Sequence, residues 1–238
     1  MTHNLYKKIN LSLPAADRFT KLAEYLFFQC HLQVKGRKFY FTELEFYVEY
    51  SQHSDKFRHN ANEQLQDGAF YFRPSGMDIT CGNGKDVYGG VLIRGIKDEQ
   101  DNWYNKPVCL LNDAILPILL PVPEEYSVKK HSQLLQQFVE LKNNEIRKVK
   151  MYQGPRHNLV KGRFPASEED LRQEFKWAPY RYIIDVNVKE HKYASKEKFD
   201  FASAMLNPND TEEFQKCIQK AREWVDLYAY YEKLQEKA

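Results

Sequence analysis

The sequence predicts a single mixed α+β domain, and three observations carry the prediction. Apolar residues recur at helical spacing between Ala15 and Phe28. A long β-rich run with alternating side chains follows at Arg37 to Tyr50, and shorter β-rich pieces set off by glycine continue toward residue 112. With 238 residues, 42% hydrophobic and 29% charged, the chain suits one globular core of above-average size rather than a disordered segment. Aromatic residues make up 14%, which favours strands and stacked surfaces over a heptad coiled coil.

The first element is an amphipathic helix, because Phe19, Leu22, Ala23, Leu26 and Phe27 share a face while Asp17, Lys21 and Glu24 take the other. Cys30 to Val34 then pairs with Arg37 to Tyr50 across a turn at Lys35 and Gly36. Ser51 to Gly68 is polar and without period. Ala69 to Arg73 and Met77 to Cys81 read as short strands around Pro74, Ser75 and Gly76, and Tyr88 to Ile96 as another strand after Gly82, Asn83 and Gly84. Ser127 to Glu145 is expected to be helical, with Leu134, Leu135, Phe138, Val139 and Leu141 as its apolar set. So is Ser167 to Phe175, announced by Pro165, Ser167 and acids in its first turn. A last helix runs from Asp210 to Glu236 with a stripe from Phe214 to Tyr231. The domain reading is thus 1–238 as one unit, with that helix as an addition at 210–236.

Basic residues exceed acidic ones by only two, so any binding to nucleic acid must be local. The longest apolar patch, Ala114 to Val122, is broken by Pro117 and Pro121 and is too short to span a bilayer. No basic start with an uninterrupted apolar stretch follows Met1, and the four cysteines form no C-x-x-C pair. A soluble chain with reduced thiols in the cytoplasm is expected, without metal. Walker, Rossmann, nucleophile-elbow and H-E-x-x-H patterns are all missing from the sequence, so nucleoside triphosphate chemistry loses support.

Chemistry is expected first on the Arg37 to Tyr50 strand. Alternation puts Phe39, Phe41, Glu43, Glu45, Tyr47 and Glu49 on one face, so the two central carboxylates, Glu43 and Glu45, lie among rings, where an acid is costly unless solvated, paired or useful. Such surroundings strengthen a general base. His53 and His59 follow closely, and an imidazole near Tyr47 would make the second wall of a slot for a planar ligand. Between Lys142 and Arg163 seven basic residues face Glu145 alone, a local excess of six positive charges. Within it Lys148, Lys150, Arg156, Lys161 and Arg163 are candidates for phosphate contact.

The order of these pieces resembles the methylpurine (3-methyladenine) DNA glycosylase family. The resemblance rests on Glu43-Leu44-Glu45-Phe46-Tyr47, Asp55 and His59, Gly68-Ala69-Phe70, Arg73-Pro74-Ser75-Gly76, Val91-Leu92-Ile93-Arg94-Gly95-Ile96 and Gly154-Pro155-Arg156-His157-Asn158-Leu159. These stand where the family has E-T-E-A-Y, D-x-x-x-H, a P-G turn, V-L-L-R-A and G-P-x-x-L, and the likeness covers about residues 19–186. It implies a curved, mostly antiparallel sheet with flanking helices, and hydrolysis of the base–sugar bond of an alkylated or deaminated purine flipped out of DNA, duplex or single-stranded. It also implies a monomer that uses no cofactor. Glu45 falls on the family's general base and Arg94 on the arginine that holds the water or a phosphate; Tyr47 and His59 fall on the rings that sandwich the base. The chain departs from the family at Met77 to Gly84, where a stacking ring and an intercalating side chain are missing and Asp78 stands instead, suited to bonding an exocyclic amine or to repelling phosphate. Two other expectations stay open: a binding protein that keeps the scaffold without the reaction, and a hydrolase of single-stranded or free nucleosides.

Overall fold

A computed structural model describes residues 4–15, 17–59, 61–119, 135–147, 151–154, 156, 159 and 164–184. The fold is α+β: a strongly curled antiparallel sheet, close to a half-barrel, with a few short helices. Helix α1 (Thr20–Gln29) leads directly into β1 (Cys30–Val34), which turns into β2 (Arg37–Tyr50). Lys35 and Gly36 both have positive φ, 44° and 86°, as a two-residue hairpin turn needs. There follow β3 (His53–Ser54), a 3-10 turn at Asn62–Leu65, β4 (Asp67–Arg73), β5 (Gly76–Cys81), β6 (Tyr88–Asp98) and β7 (Trp103–Asn105). Residues 107–119 form a helix, α2, with a π-helical stretch at Leu110–Ile115. Then come β8 (Val139–Asn143), β9 (Met151–Gly154), α3 (Glu169–Trp177) and β10 (Arg181–Ile184).

The main path of the sheet is β4-β5-β6-β2-β1-β8. One edge of β2 pairs with β6 over nearly its whole length. The other is shared by three short strands: β1 against Arg37 to Phe39, β10 against Glu43 to Glu45, and β3 against Glu49 and Tyr50. Phe46 on β2 stacks on Phe19 at 5.1 Å and meets Tyr182 edge-on at 5.2 Å, so α1 and β10 close over this face. Phe39 and Phe41 on the alternate face are also fully buried, which makes β2 a strand with core on both sides at its start.

Two expectations change here. Val139 to Asn143, read as the end of a helix, is a strand pairing with β1 from Val34 opposite Val139 to Cys30 opposite Asn143. Its burial alternates, Val139 and Leu141 inside with Glu140 and Lys142 outside, which is a period of two. Residues 107–119, for which no helix was expected, are helical. Pro107 sits at the first helical position, and the π-helical stretch lies just ahead of Pro117, whose ring cannot join the i to i−4 ladder. The expected helix at 210–236, residues 127–134 and Cys217 lie outside the described residues. Cys30 and Cys81 are buried free thiols and Cys109 is half-buried. No helix among the described residues is long and apolar enough to cross a membrane.

Candidate functional site

Register places the candidate residues in rows across the sheet. Arg181, Glu45, Leu92 and Asp78 are neighbours on β10, β2, β6 and β5, and directly opposite residues put their side chains on one face. The next row holds Tyr47, Gly90 and Thr80. Two residues the other way, Glu43 and Arg94 continue the same face.

The row centres on two buried carboxylates held by two guanidiniums. Arg94 Nε donates to Glu43 Oε1 at 2.7 Å and its NH1 to Glu45 Oε2 at 3.4 Å. Arg181 Nε donates to the same Glu43 oxygen at 2.8 Å and lies 3.9 Å from Glu45 Oε1. Tyr47 completes the group by donating its hydroxyl to Glu45 Oε2 at 2.8 Å. Burial pulls the Glu43 carboxyl up, but Arg181 and Arg94 outweigh it and hold its pKa at about 2. For Tyr47, burial first and the Glu45 charge second push the phenol well above its usual value, so its proton stays in the bond to Glu45. Two buried carboxylates balanced by buried Arg181 and partly exposed Arg94, with these bonds, escape the penalty an unpaired ion would pay. Glu45 itself has no exposed surface, whereas Arg94 and Tyr47 are partly exposed; Glu45 therefore lies one side chain below solvent.

A second group flanks the first on the β5 side. Arg73 NH2 donates to Asp78 Oδ1 at 2.9 Å, and its NH1 donates to His59 Nε2 at 2.7 Å and Ser75 Oγ at 2.9 Å. Since arginine only donates, Nε2 of His59 is the accepting nitrogen. His59 is exposed and tied by Arg73 to the Asp78 side of the face. Over the ring of Tyr47 lies not His59 but the guanidinium of Arg156, 4.6 Å from the centroid. The expected two-ring slot is thus corrected to a single ring, Tyr47, with one face already occupied by a cation.

Arg156 is the other correction. It was expected to contact phosphate, yet it is buried and every donor bond points inward. NH1 reaches Asp55 Oδ2 at 2.5 Å and the Phe46 carbonyl at 3.0 Å, while NH2 reaches Asp55 Oδ1 at 3.2 Å and the Phe175 carbonyl at 2.7 Å. This two-pronged ion pair locks the loop after β3, strand β2 and the end of α3 together. Asp55 is its counter-ion. Lys148, Lys150, Lys161 and Arg163 lie outside the described residues.

His53 belongs to the core as well. Its Nδ1 accepts from Arg18 NH1 at 3.1 Å, and its ring meets Phe175 edge-on at 4.8 Å. Burial, then the charges of Arg18 and Arg156, bring its pKa down to about 3, so it stays neutral. Among the described residues no three His, Cys, Asp or Glu side chains gather as a metal-ligand set.

Alternation along β2 groups Glu45 with Tyr47, and the register of the sheet adds Arg94 and Asp78, which the sequence offered only through the family resemblance; Arg181, Arg73 and Gln64 were not expected. Arg181 lies 138 positions from Glu43, and no local pattern announces such a pairing. Gln64, on the 3-10 turn at Asn62–Leu65, is buried with its amide above Gly90 in the Tyr47 row. Comparison with known proteins adds little chemistry. No family model matches the chain. It is 27% identical over 216 aligned positions, covering 76% of this chain and 93% of the other, to an uncharacterized protein, L759, of Acanthamoeba polyphaga mimivirus.

Proposed function

We propose that the protein hydrolyses the N-glycosidic bond of a damaged purine in DNA, with Glu45 as the general base. The observation that supports this best is the placement of the Glu45 carboxylate under two partly exposed side chains, Tyr47 and Arg94, each bonded to it. An alkylated purine is a good leaving group, so the enzyme needs mainly a carboxylate to take a proton from water and to stabilise the positive charge growing on the sugar. Glu45 supplies that carboxylate. Arg94 orients its oxygen, and the partly exposed ring of Tyr47 is the surface nearest a bound base.

In this reading water reaches Glu45 past Tyr47 and Arg94 on the face of the sheet, displacing one of their bonds to it. Asp78 and Gln64 lie farther along the face, at the end where the base would project. Strand β5 buries Met77, Ile79 and Cys81 and carries no aromatic side chain, so no wedge from this strand fills a gap in duplex DNA. The reading therefore favours single-stranded or already extruded bases over well-stacked duplex. Action as a monomer in the cytoplasm, with the basic residues near Lys148 on phosphates, belongs to the same proposal.

A second reading, a binding protein without the reaction, draws support from the complete burial of Glu45 and its engagement by Tyr47 and Arg94. Release of methylated purines from single-stranded DNA, duplex DNA and free nucleosides separates the two. The glycosylase reading expects release by the wild type and at least a hundredfold loss in Glu45→Gln, with DNA binding kept. Release by Glu45→Gln at the wild-type rate refutes the role of Glu45, and no release by the wild type leaves the binding reading.

A further inference from the structure

Arg147 belongs to the basic run of the sequence, takes no part in the reaction proposed above, and is held in place without an acid. Its backbone N–H donates to the Phe28 carbonyl at 2.8 Å, and its guanidinium lies over the ring of Tyr40, 4.3 Å from the centroid. The NH1 group is buried and has no hydrogen-bond partner, and a buried donor left unpaired calls for a reason. A second such atom stands beside the same ring. His31 is 5% exposed, with its ring 6.3 Å from that of Tyr40. Its Nδ1 donates to Asn144 Oδ1 at 2.6 Å, since Asn144 Nδ2 is itself donating to the Cys30 carbonyl at 2.7 Å. Burial lowers the pKa of this imidazole and keeps it neutral, so Nε2 is an acceptor, and it too is buried without a partner.

Tyr40 and Arg147 line a cavity of about 400 Å³ together with Lys97, Asp98, Glu99 and Asp101. Cavities that hold small molecules run from about 300 to 1,000 Å³. Tyr40 and Glu45 are separated along β2 by roughly 17 Å of extended chain, so this cavity is distinct from the Glu45 face. Most of its charges are already paired. Lys97 Nζ donates to Asp101 Oδ1 at 2.8 Å. Asp98 accepts from the backbone of Gln100 at 3.0 Å and of Asn102 at 2.9 Å, and from the Asn102 amide at 3.0 Å. Glu99 differs: its side chain is 45% exposed, and its ion-pair partner Lys38 stays 3.6 Å away, beyond a hydrogen bond. The cavity thus offers a cationic donor on Arg147 and an anionic acceptor on Glu99.

We infer that this cavity binds a free α-amino acid with a polar side chain, its carboxylate on Arg147 and its ammonium on Glu99. The inference goes beyond the reaction proposed for Glu45 and does not depend on it. A guanidinium stacked on a ring and short of an acceptor is suited to a carboxylate. An ammonium carries three hydrogens, and the neutral Nε2 of His31 beside Tyr40 supplies a further acceptor for it. A zwitterion also matches the wall as a whole. Three carboxylates against two cations repel a phosphate, whereas a bare cation leaves Arg147 unpaired. The side chain meets charged groups, because the ring of Tyr40 is already covered by Arg147.

The test is calorimetric titration of the full-length protein with L-serine, L-glutamine, L-glutamate and L-lysine, each alone. At least one is expected to bind with a Kd below about 10 mM. Its N-acetyl derivative, which lacks the ammonium, and its methyl ester, which lacks the carboxylate, are each expected to bind about tenfold weaker or more. Arg147→Met and Glu99→Gln are expected to weaken binding by a similar factor, and inorganic phosphate is expected not to compete. A thermal melt checks the fold of each variant. Glu99 is half-exposed, so Glu99→Gln keeps the test decisive even if Arg147→Met melts lower. Four results each overturn the inference: no binding by any of the four amino acids in that range, equal binding of a blocked derivative, undiminished binding by a folded Glu99→Gln protein, or displacement by phosphate. All four leave the role of Glu45 standing.

Discussion

His53 makes the stability of this protein depend on pH in a way that can be worked out from its surroundings. Buried and accepting from Arg18, it has a pKa of about 3 in the fold, against 6.5 for the free side chain. Below pH 6.5 the unfolded chain takes up a proton that the folded ring refuses. Stability from this residue is therefore complete above pH 6.5 and falls as pH drops, by about 1.4 kcal/mol per unit, until pH nears 3. Between pH 7.5 and 5.0 the loss comes to about 2 kcal/mol. The Glu43 pair does not contribute in that window, because its pKa is lowered from 4.5 to about 2 and its stabilisation fades only below pH 4.5. Urea unfolding followed by tryptophan fluorescence at fixed ionic strength measures the effect, and the midpoint should move down by about 1 M. His53→Gln keeps an acceptor for Arg18 and does not titrate, so its midpoint should shift much less. His31, also lowered by burial, contributes equally to both proteins. Equal shifts in wild type and His53→Gln would refute the account.

Other substitutions probe the remaining buried groups. Asp55→Asn strips the counter-ion from fully buried Arg156 and should cost about 3–5 kcal/mol, read by chemical denaturation. Arg181→Met leaves Glu43 and Glu45 with Arg94 as their cation, and a similar loss is expected at pH 7, read by the same denaturation. Adjacent glycines should differ sharply in thermal melts. A Cβ at Gly89 meets the Cys81 backbone carbonyl at 2.8 Å, so Gly89→Ala should destabilise by about 1–3 kcal/mol or more. Gly90→Ala meets chiefly the unbonded tip of Gln64 and should cost less.

The candidate face was legible because β2 announces itself: aromatic and β-branched residues run from Phe39 to Tyr50, and a period of two groups Glu43, Glu45 and Tyr47, although the ladder to β6 shifts register between Phe41 and Leu44. Arg94 on β6 came from the family resemblance instead, since nothing in the period of its strand singles it out. Val139 to Asn143 was misread because Leu135, Phe138 and Val139 fit a helical stripe as well as Val139 and Leu141 fit a strand, and a short apolar run does not separate the two periods. Arg156 was misread because charge counted along a window is blind to burial, and its partner Asp55 stands 101 positions away. The same distance problem hid Arg181 behind an ordinary Arg-Tyr-Ile-Ile strand.

The three short strands that share one edge of β2 also set an order of assembly. Strands β1 and β6 are at hand early in synthesis, but the middle of that edge waits for Arg181 to emerge. Until then two like-charged carboxylates lie side by side on an open seam with a single cation between them. A nascent or truncated chain that stops short of Arg181 is thereby marked as unfinished by electrostatic repulsion at its centre, and arrival of the tenth strand both closes the seam and neutralises it.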